Sequence, residues 1–218
     1  MPAYAAAPPR ILNLEAIAAA PAMRDPYPYI IASNTLPSEM APALKRDFPD
    51  IRKAGYLPLS LMKRQGAFDA LLKDMESPEL AEILSEKLGV DLRGKPCIIT
   101  VRKYSDLKAG NIHNDGQAKL ATSLVYLNDT WPEGDAGRLR VLRNDRSFDD
   151  TAAEVPPTFG TFFAFARTDN SWHGHKPFAG ERRVIQAAWV RSWEDYERKI
   201  RRGRFSAFFK RLVKTGYE

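Results

Sequence analysis

The chain has 218 residues, 44% of them hydrophobic and 28% charged, enough for one globular domain with a sizeable core. A single cysteine, Cys97, excludes an internal disulfide and so a disulfide-built secreted scaffold. No stretch approaches the ~20 apolar residues of a membrane-spanning helix. The Ala- and Pro-rich start has no basic residues before an apolar run, so no signal peptide and a cytoplasmic address are expected. The net charge of +6 is uneven: Arg191 to Glu218 holds nine Lys or Arg and four Asp or Glu, and 9 − 4 = +5. Such a basic tail attracts anionic partners without specifying which.

In chain order, residues 1–25 read as an irregular arm or short helix, and Pro26 to Ile31 as an extended opening strand. Ser38 is a candidate N-cap for a helix through Asp47. Between Ala67 and Leu88 the apolar spacing predicts two helices divided at Ser77-Pro78, with Ser77 the cap, Pro78 at the first helical position and Gly89 the stop. From Cys97 the texture becomes β-rich: Cys97–Tyr104, Leu120–Leu127, Gly137–Leu142, Thr161–Ala166 and Arg183–Val190 are short runs separated by turn residues. No helical pattern intervenes, so antiparallel strands in a sandwich or jelly roll are expected, with the preceding helices packed on one face. Cys97 lies in an apolar run and reads as a buried thiol. Trp193, Tyr196 and Ile200, then Phe205, Phe208, Phe209 and Leu212, form two apolar stripes separated by Gly203, a basic amphipathic helix pair. Three segments follow: an arm over residues 1–25, a domain over 26–192 and a basic helical tail over 193–218.

The chemistry-bearing residues are His113-Asn114-Asp115, Trp172-His173 and Arg182-Arg183. In an extended segment His113 and Asp115 point to the same side, and a distal histidine can complete a set of two imidazoles and one carboxylate. That set holds one face of Fe(II) and leaves other positions open for a co-substrate and O₂. An arginine beyond the second histidine can hold the far carboxylate of a keto acid, because its planar fork meets a carboxylate bidentately and stays charged in a dry pocket. Alone, His-x-Asp is also what a polar turn after Gly110 looks like; the surroundings decide.

The segment Tyr104 to Asp115, with Gly110 inside it, resembles the tyrosine–glycine–His-x-Asp stretch of the prolyl-4-hydroxylase-like 2-oxoglutarate/Fe(II)-dependent dioxygenases. Tyr126-Leu127-Asn128, Trp131, Gly137-Arg138-Leu139, Pro157 to Gly160 with its aromatic strand, and Trp172 to Arg183 with Trp189 continue the resemblance in order, over about Tyr104 to Val190. It implies a double-stranded β-helix of jelly-roll type. It also implies iron held by His113, Asp115 and His173, 2-oxoglutarate and O₂ as co-substrates with ascorbate a further candidate cofactor, and hydroxylation with release of succinate and CO₂. His173 is preferred to His175 on the Trp-His pair and the following Pro177; His175 is assigned to the substrate mouth or an exposed loop. For the 2-oxoglutarate anchor, spacing from Gly180 favours Arg182. The even separation 189 − 183 = 6 puts Arg183 on the face of Trp189, Ile185 and Ala187, and Arg183 is the choice made here. Tyr104 and Tyr126 are read as hydroxyl donors to the co-substrate, Leu124 as a packing contact, and Arg102 as a weaker candidate for the same cavity.

The substrate is expected to be hydrophilic: a small molecule, a sugar-type metabolite or a protein side chain. The mouth is assigned to the polar segments Lys108–Asn111, Lys119, Asn144–Ala153 and Arg167–Asn170. Nucleic-acid dealkylating oxygenases share the metal set but resemble an Arg-x5-Arg pattern. That pattern would need arginine at Ala188 or Trp189, so nucleic acid is not the expected partner. A metal-free jelly-roll binding module and zinc hydrolysis are the remaining alternatives. For the tail, docking on its own domain or in a homodimer is preferred to an anionic membrane surface.

Overall fold

A computed structural model describes the backbone of residues 10–212 and the side chains of residues 10–202. The elements run α1 (Leu14–Ala19), β1 (Tyr29–Ala32), α2 (Ala41–Asp47), β2 (Leu57–Pro58), α3 (Gly66–Met75), α4 (Pro78–Leu88), β3 (Cys97–Ser105), β4 (Lys119–Tyr126), β5 (Leu139–Leu142), β6 (Thr151–Val155), β7 (Phe162–Ala166), β8 (His173–Gly174), β9 (Gly180–Val190) and α5 (Trp193–Leu212). The strands form two antiparallel sheets, one in the order β1-β7-β4-β9-β3-β2 and one in the order β6-β5-β8. The arrangement is jelly-roll-like and mainly antiparallel.

The large sheet is buried on both faces, so its strands read as near-continuous apolar runs rather than alternating ones. Alternation still sorts the side chains. Ile99, Val101, Val125, Phe162, Ala164, Ile185, Ala187 and Trp189 share one cluster with Phe68, Leu71, Leu72, Met75, Leu80 and Leu84 of α3 and α4. Tyr29, Leu124, Tyr126, Phe163, Phe165 and Val184 point the other way and pack against Leu139, Val141 and Val155 of the small sheet. Odd positions of β9 therefore serve the helix side, and even positions face the space between the sheets.

The helices are set by local chemistry. The Ser77 hydroxyl accepts the Leu80 N–H at 3.2 Å, Pro78 occupies the first turn, and Gly89 closes α4 at φ 70°. Ser38 does not cap a helix. It opens a short 3-10 turn, Ser38–Met40, and α2 starts only at Ala41 without a side-chain cap. The start of α3 is held by the Asp47 carboxylate, which accepts the Ala67 N–H at 2.8 Å. The arm is docked: Asp74 Oδ2 accepts the N–H groups of Ile11 and Leu12 at 2.7 and 2.9 Å, and Leu12, Leu14 and Ile17 are buried.

Two further differences stand out. Residues 151–153, read as the end of a mouth loop, belong to β6 on the edge of the small sheet. The tail backbone is one continuous helix through Gly203 rather than two, since an isolated glycine only weakens a helix. The stripe of Phe205, Phe208, Phe209 and Leu212 lies outside the described side chains. Among the described residues no helix is long and apolar enough to cross a membrane.

Asn128, just past β4, ties three strand ends together. Its Nδ2 donates to the Pro157 carbonyl at 2.6 Å and to the Arg183 carbonyl at 3.3 Å, and its Oδ1 accepts the Arg183 N–H at 2.6 Å. Asn128→Ala leaves those buried groups unmet, and we expect a loss of about 2–3 kcal/mol in urea unfolding. A loss below about 0.5 kcal/mol, the range of an ordinary surface substitution, would show that the tie is not structural.

Candidate active site

Two histidines are brought together by the backbone before their side chains do anything. His113 and His173 form an isolated antiparallel bridge, each N–H donating to the other's carbonyl at 3.0 Å. Directly opposed residues of an antiparallel pair project to the same face, and the two rings sit with centroids 4.3 Å apart. Asp115, two residues on, points the same way. Donor atoms of His113, Asp115 and His173 all lie within 4.8 Å of one another. The bridge also separates His173 from His175, because only His173 stands opposite His113.

The approach needs glycine. A Cβ on Gly110, at φ +96°, would fall 2.3 Å from the His175 ring, and one on Gly174 would fall 2.7 Å from the Gly110 carbonyl. Asn114 fixes the same segment from behind. Its amide donates to the Thr168 carbonyl at 2.7 Å, and its oxygen accepts the Ser171 hydroxyl at 2.6 Å.

Each imidazole is oriented by a carbonyl. His113 Nδ1 lies 2.9 Å from the Asn111 oxygen and His173 Nδ1 lies 2.9 Å from the Ser171 oxygen. A carbonyl can only accept, so Nδ1 carries the proton and Nε2 keeps its lone pair, as a metal-ligating histidine requires. Burial, opposed in part by the Asp115 charge, pushes the His173 imidazole down to about 4, so the ring is neutral at pH 7. Burial by itself would raise the Asp115 carboxyl. The Lys119 charge and hydrogen bonds from Lys119 and Thr122 outweigh it and hold the group well below the usual carboxylate range. Lys119 Nζ donates to Oδ1 at 2.6 Å and the Thr122 hydroxyl to Oδ2 at 2.6 Å. Each oxygen retains a lone pair. Two imidazoles that turn Nε2 away from their carbonyl partners and one ionised carboxylate fit Fe(II), with room left for exchangeable ligands.

The three groups open into a cavity of about 280 Å³ between the sheets. Strand β4 gives it a direction. Thr122 touches Asp115 at one end, Leu124 lines the middle opposite Gln186, and Tyr126 lies at the other end. At that far end stands Arg182, 1% exposed, whose Nε donates to the Gly137 carbonyl and whose Nη2 donates to the Tyr126 hydroxyl, both at 3.1 Å. Its remaining N–H groups have no protein acceptor among the described residues. Phe165, with its centroid 4.5 Å from that of His173, and Leu139 supply apolar wall.

Several sequence expectations change here. Arg183 does not enter the cavity: it pairs with Glu181 and its guanidinium lies 5.9 Å from the Phe48 ring centroid on the helix side. The parity with Trp189 holds, but Trp189 belongs to the helix-side cluster, so the face was the wrong one. Tyr104 also misses the cavity. A register shift between Arg102 and Tyr104 in the β3–β9 pairing breaks the alternation, and Lys103 Nζ lies 5.5 Å from the Tyr104 ring. Tyr126 lies fully buried behind Arg182 and orients it. His175 is buried rather than exposed and lines the cavity. Arg102 lines it too. Tyr56 and Gln186, not singled out from the sequence, complete the wall. Gln186 could have been found as the partner of Leu124, whereas Tyr56 has no local signal. Cys97 is inert, its thiol pushed up by burial.

His175, like His173, is lowered to about 4 by burial. The unfolded chain therefore binds more protons than the folded one between pH 6.5 and about 4, and stability must fall as pH drops through that window. Unfolding free energies from urea titration of the metal-free protein at pH 7, 5.5 and 4.5 should fall at up to about 1.4 kcal/mol per pH unit per ring. His175→Gln should reduce the slope; an unchanged slope would place the lost protons elsewhere.

Residues 99–191 match the family model described as the 2OG-Fe(II) oxygenase superfamily. Solved structures with similar folds include a prolyl-4-hydroxylase from Pseudomonas putida, at 18% identity over 87% of this chain and 97% of that one, with a TM-score of 0.57. A viral collagen prolyl hydroxylase from Paramecium Bursaria Chlorella virus-1, solved as a 2OG complex, gives 19% identity over 77% and 97%, with a TM-score of 0.51. No curated protein matches the chain. The superfamily works with Fe(II), 2-oxoglutarate and O₂, and the donor set found between the sheets suits that iron. Residues 99–191 thus match the 2OG-Fe(II) oxygenase superfamily, on a fold similar to that of the solved prolyl-4-hydroxylases.

Proposed function

We propose that the chain is an Fe(II)- and 2-oxoglutarate-dependent hydroxylase built on a double-stranded β-helix over residues 26–192, with 193–218 a basic helical tail. His113, Asp115 and His173 would hold the iron and Arg182 the distal carboxylate of 2-oxoglutarate. The observation that carries this reading is one cavity with an oriented His–Asp–His set at one end and, at the other, a buried arginine with N–H groups that have no acceptor among the described residues. When bound, the iron supplies O₂ activation coupled to decarboxylation of 2-oxoglutarate, one oxygen atom ending in succinate and the other in a substrate C–H bond.

The chain's own residues bind, orient and exclude water. Asn111 and Ser171 carbonyls hold both imidazoles in the Nε2-free tautomer. Lys119 and Thr122 keep the Asp115 carboxylate ionised and fixed in direction. The Tyr126 hydroxyl and the Gly137 carbonyl lock the Arg182 fork, so little rotamer freedom is lost when a carboxylate arrives. Leu124, Leu139 and Phe165 keep the span between the ends apolar, which suits the two methylenes of 2-oxoglutarate.

The substrate enters on the side of His113, which is exposed while Asp115 and His173 are buried. Lys119 lines that end, and Lys199 of α5 is half-buried within reach of the Lys119 and Asp115 charges. A polar, cationic mouth supports a hydrophilic substrate, whether a small molecule, a sugar-type metabolite or a protein side chain.

Arg182→Leu should raise the half-saturating 2-oxoglutarate concentration by at least about 30-fold in a succinate-release assay, about 2 kcal/mol for a buried charged contact. Arg183→Leu should change it by less than about threefold, as for a partly exposed pair. The reverse ranking would sink the assignment of Arg182. His113→Ala, Asp115→Ala and His173→Ala should each abolish succinate release and weaken Mn(II) binding by at least about tenfold in calorimetry. Wild-type metal affinity in any of them would remove that residue from the ligand set.

A further inference from the structure

The cavity contains a cation that the hydroxylase reading leaves without a partner. Arg102 is 8% exposed, its Nε meets no acceptor, and no carboxylate pairs with it among the described residues. Its guanidinium lies over the Tyr56 ring, 4.2 Å from the centroid. Stacking occupies the guanidinium's face and leaves its N–H edge, the part that recognises carboxylates, free of Tyr56, and Arg102 lines the cavity. Burial and the nearby charge of Arg182 both act against Arg102's charge, with Tyr56 partly opposing them. An uncompensated buried charge is strongly disfavoured, so its place in a cavity wall points to an anion that arrives as ligand.

Sheet register says which end of the cavity that anion occupies. Val184 of β9 has Arg102 of β3 on one side and Tyr126 of β4 on the other. Residues opposite one another in antiparallel strands share a face. Arg102 and Tyr126 therefore flank Val184 in one row on the cavity face, and Arg182 is hydrogen-bonded to Tyr126 in that same region. The metal ligands stand at the other end of β4, near Thr122.

We propose that Arg102 is a second guanidinium on the distal carboxylate of 2-oxoglutarate, forming with Arg182 a two-arginine clamp that selects a dicarboxylate over a monocarboxylate keto acid. This rests on the assignment of Arg182 above. A carboxylate has about four lone-pair sites, enough to accept from both forks at once.

The test is calorimetric titration of the full, Mn(II)-loaded chain with 2-oxoglutarate and with 2-oxobutyrate, which keeps the keto acid but lacks the distal carboxylate. Arg102→Met should weaken 2-oxoglutarate by at least about tenfold and leave 2-oxobutyrate within about twofold, with Arg102→Lys in between. The metal-free Arg102→Met protein should melt at or above the wild-type temperature, because the substitution removes an uncompensated charge. Unchanged 2-oxoglutarate affinity, equal weakening of both keto acids, or a clear drop in melting temperature would each overturn the clamp. Arg182→Met separates the two claims. If it abolishes the preference for 2-oxoglutarate while Arg102→Met does not, only the clamp fails. If wild-type protein shows no preference, the Arg182 anchor fails and the clamp with it.

Discussion

The site depends on one backbone pairing, the bridge between His113 and His173. Two reciprocal N–H to carbonyl bonds set these residues opposite one another, and everything chemical follows from that register. Opposed residues share a face, so two imidazoles converge. The residue two positions on shares it too, so Asp115 joins from one segment and His175 from the other. The small sheet contributes only two residues at this point, yet β8 is held by β5 through Arg140 with Gly174 and Val141 with His173. The three candidate donors thus sit where a loop is stitched to the edge of a packed sandwich. They are rigid without being sealed.

Electrostatics then divides the cavity. Asp115 is its one acid, and it is matched by Lys119. Arg102 and Arg182 lie at the other end with no acid between them. A cavity with two buried guanidinium groups and no acid beside them is unfavourable by itself and would favour an anion. The fold accepts that cost because the same groups, oriented in advance, reduce what ligand binding must pay in side-chain ordering.

Much of this is legible in the sequence. The candidate donor set is readable because the chain has only three histidines and alternation alone puts His113 and Asp115 on one side. The long strands are readable because turn residues bound them. What is not readable is which of two buried faces looks inward. On β9 both faces are apolar or covered, so Trp189 looks as suitable for the cavity as for the helix interface, and parity carried the wrong arginine with it. Tyr104 fails for a different reason, since alternation does not survive a register shift and nothing local announces that shift. Tyr56 reaches the cavity only because β2 pairs with Val101 and Thr100, a contact made across some forty residues that no local pattern encodes.

Adjacent arginines at the start of β9 make register a matter of function. A slip of one residue would turn Arg182 out to the helices and bring Arg183 in, because side chains alternate with a period of two. The hydrophobic pattern resists this weakly here, since both faces accept long side chains. Asn128 resists it directly: one amide side chain contacts the N–H and the carbonyl of Arg183, while Leu127 donates to the same carbonyl at 3.1 Å. The N–H and the carbonyl of the outward arginine are thus both held from the β4 side, which fixes the inward one. Tyr126, two residues before Asn128 on the same strand end, receives Arg182 on the cavity side. The Tyr-Leu-Asn run therefore acts as a gauge of register: its tyrosine reads the side chain that binds, and its asparagine reads the backbone that must not move.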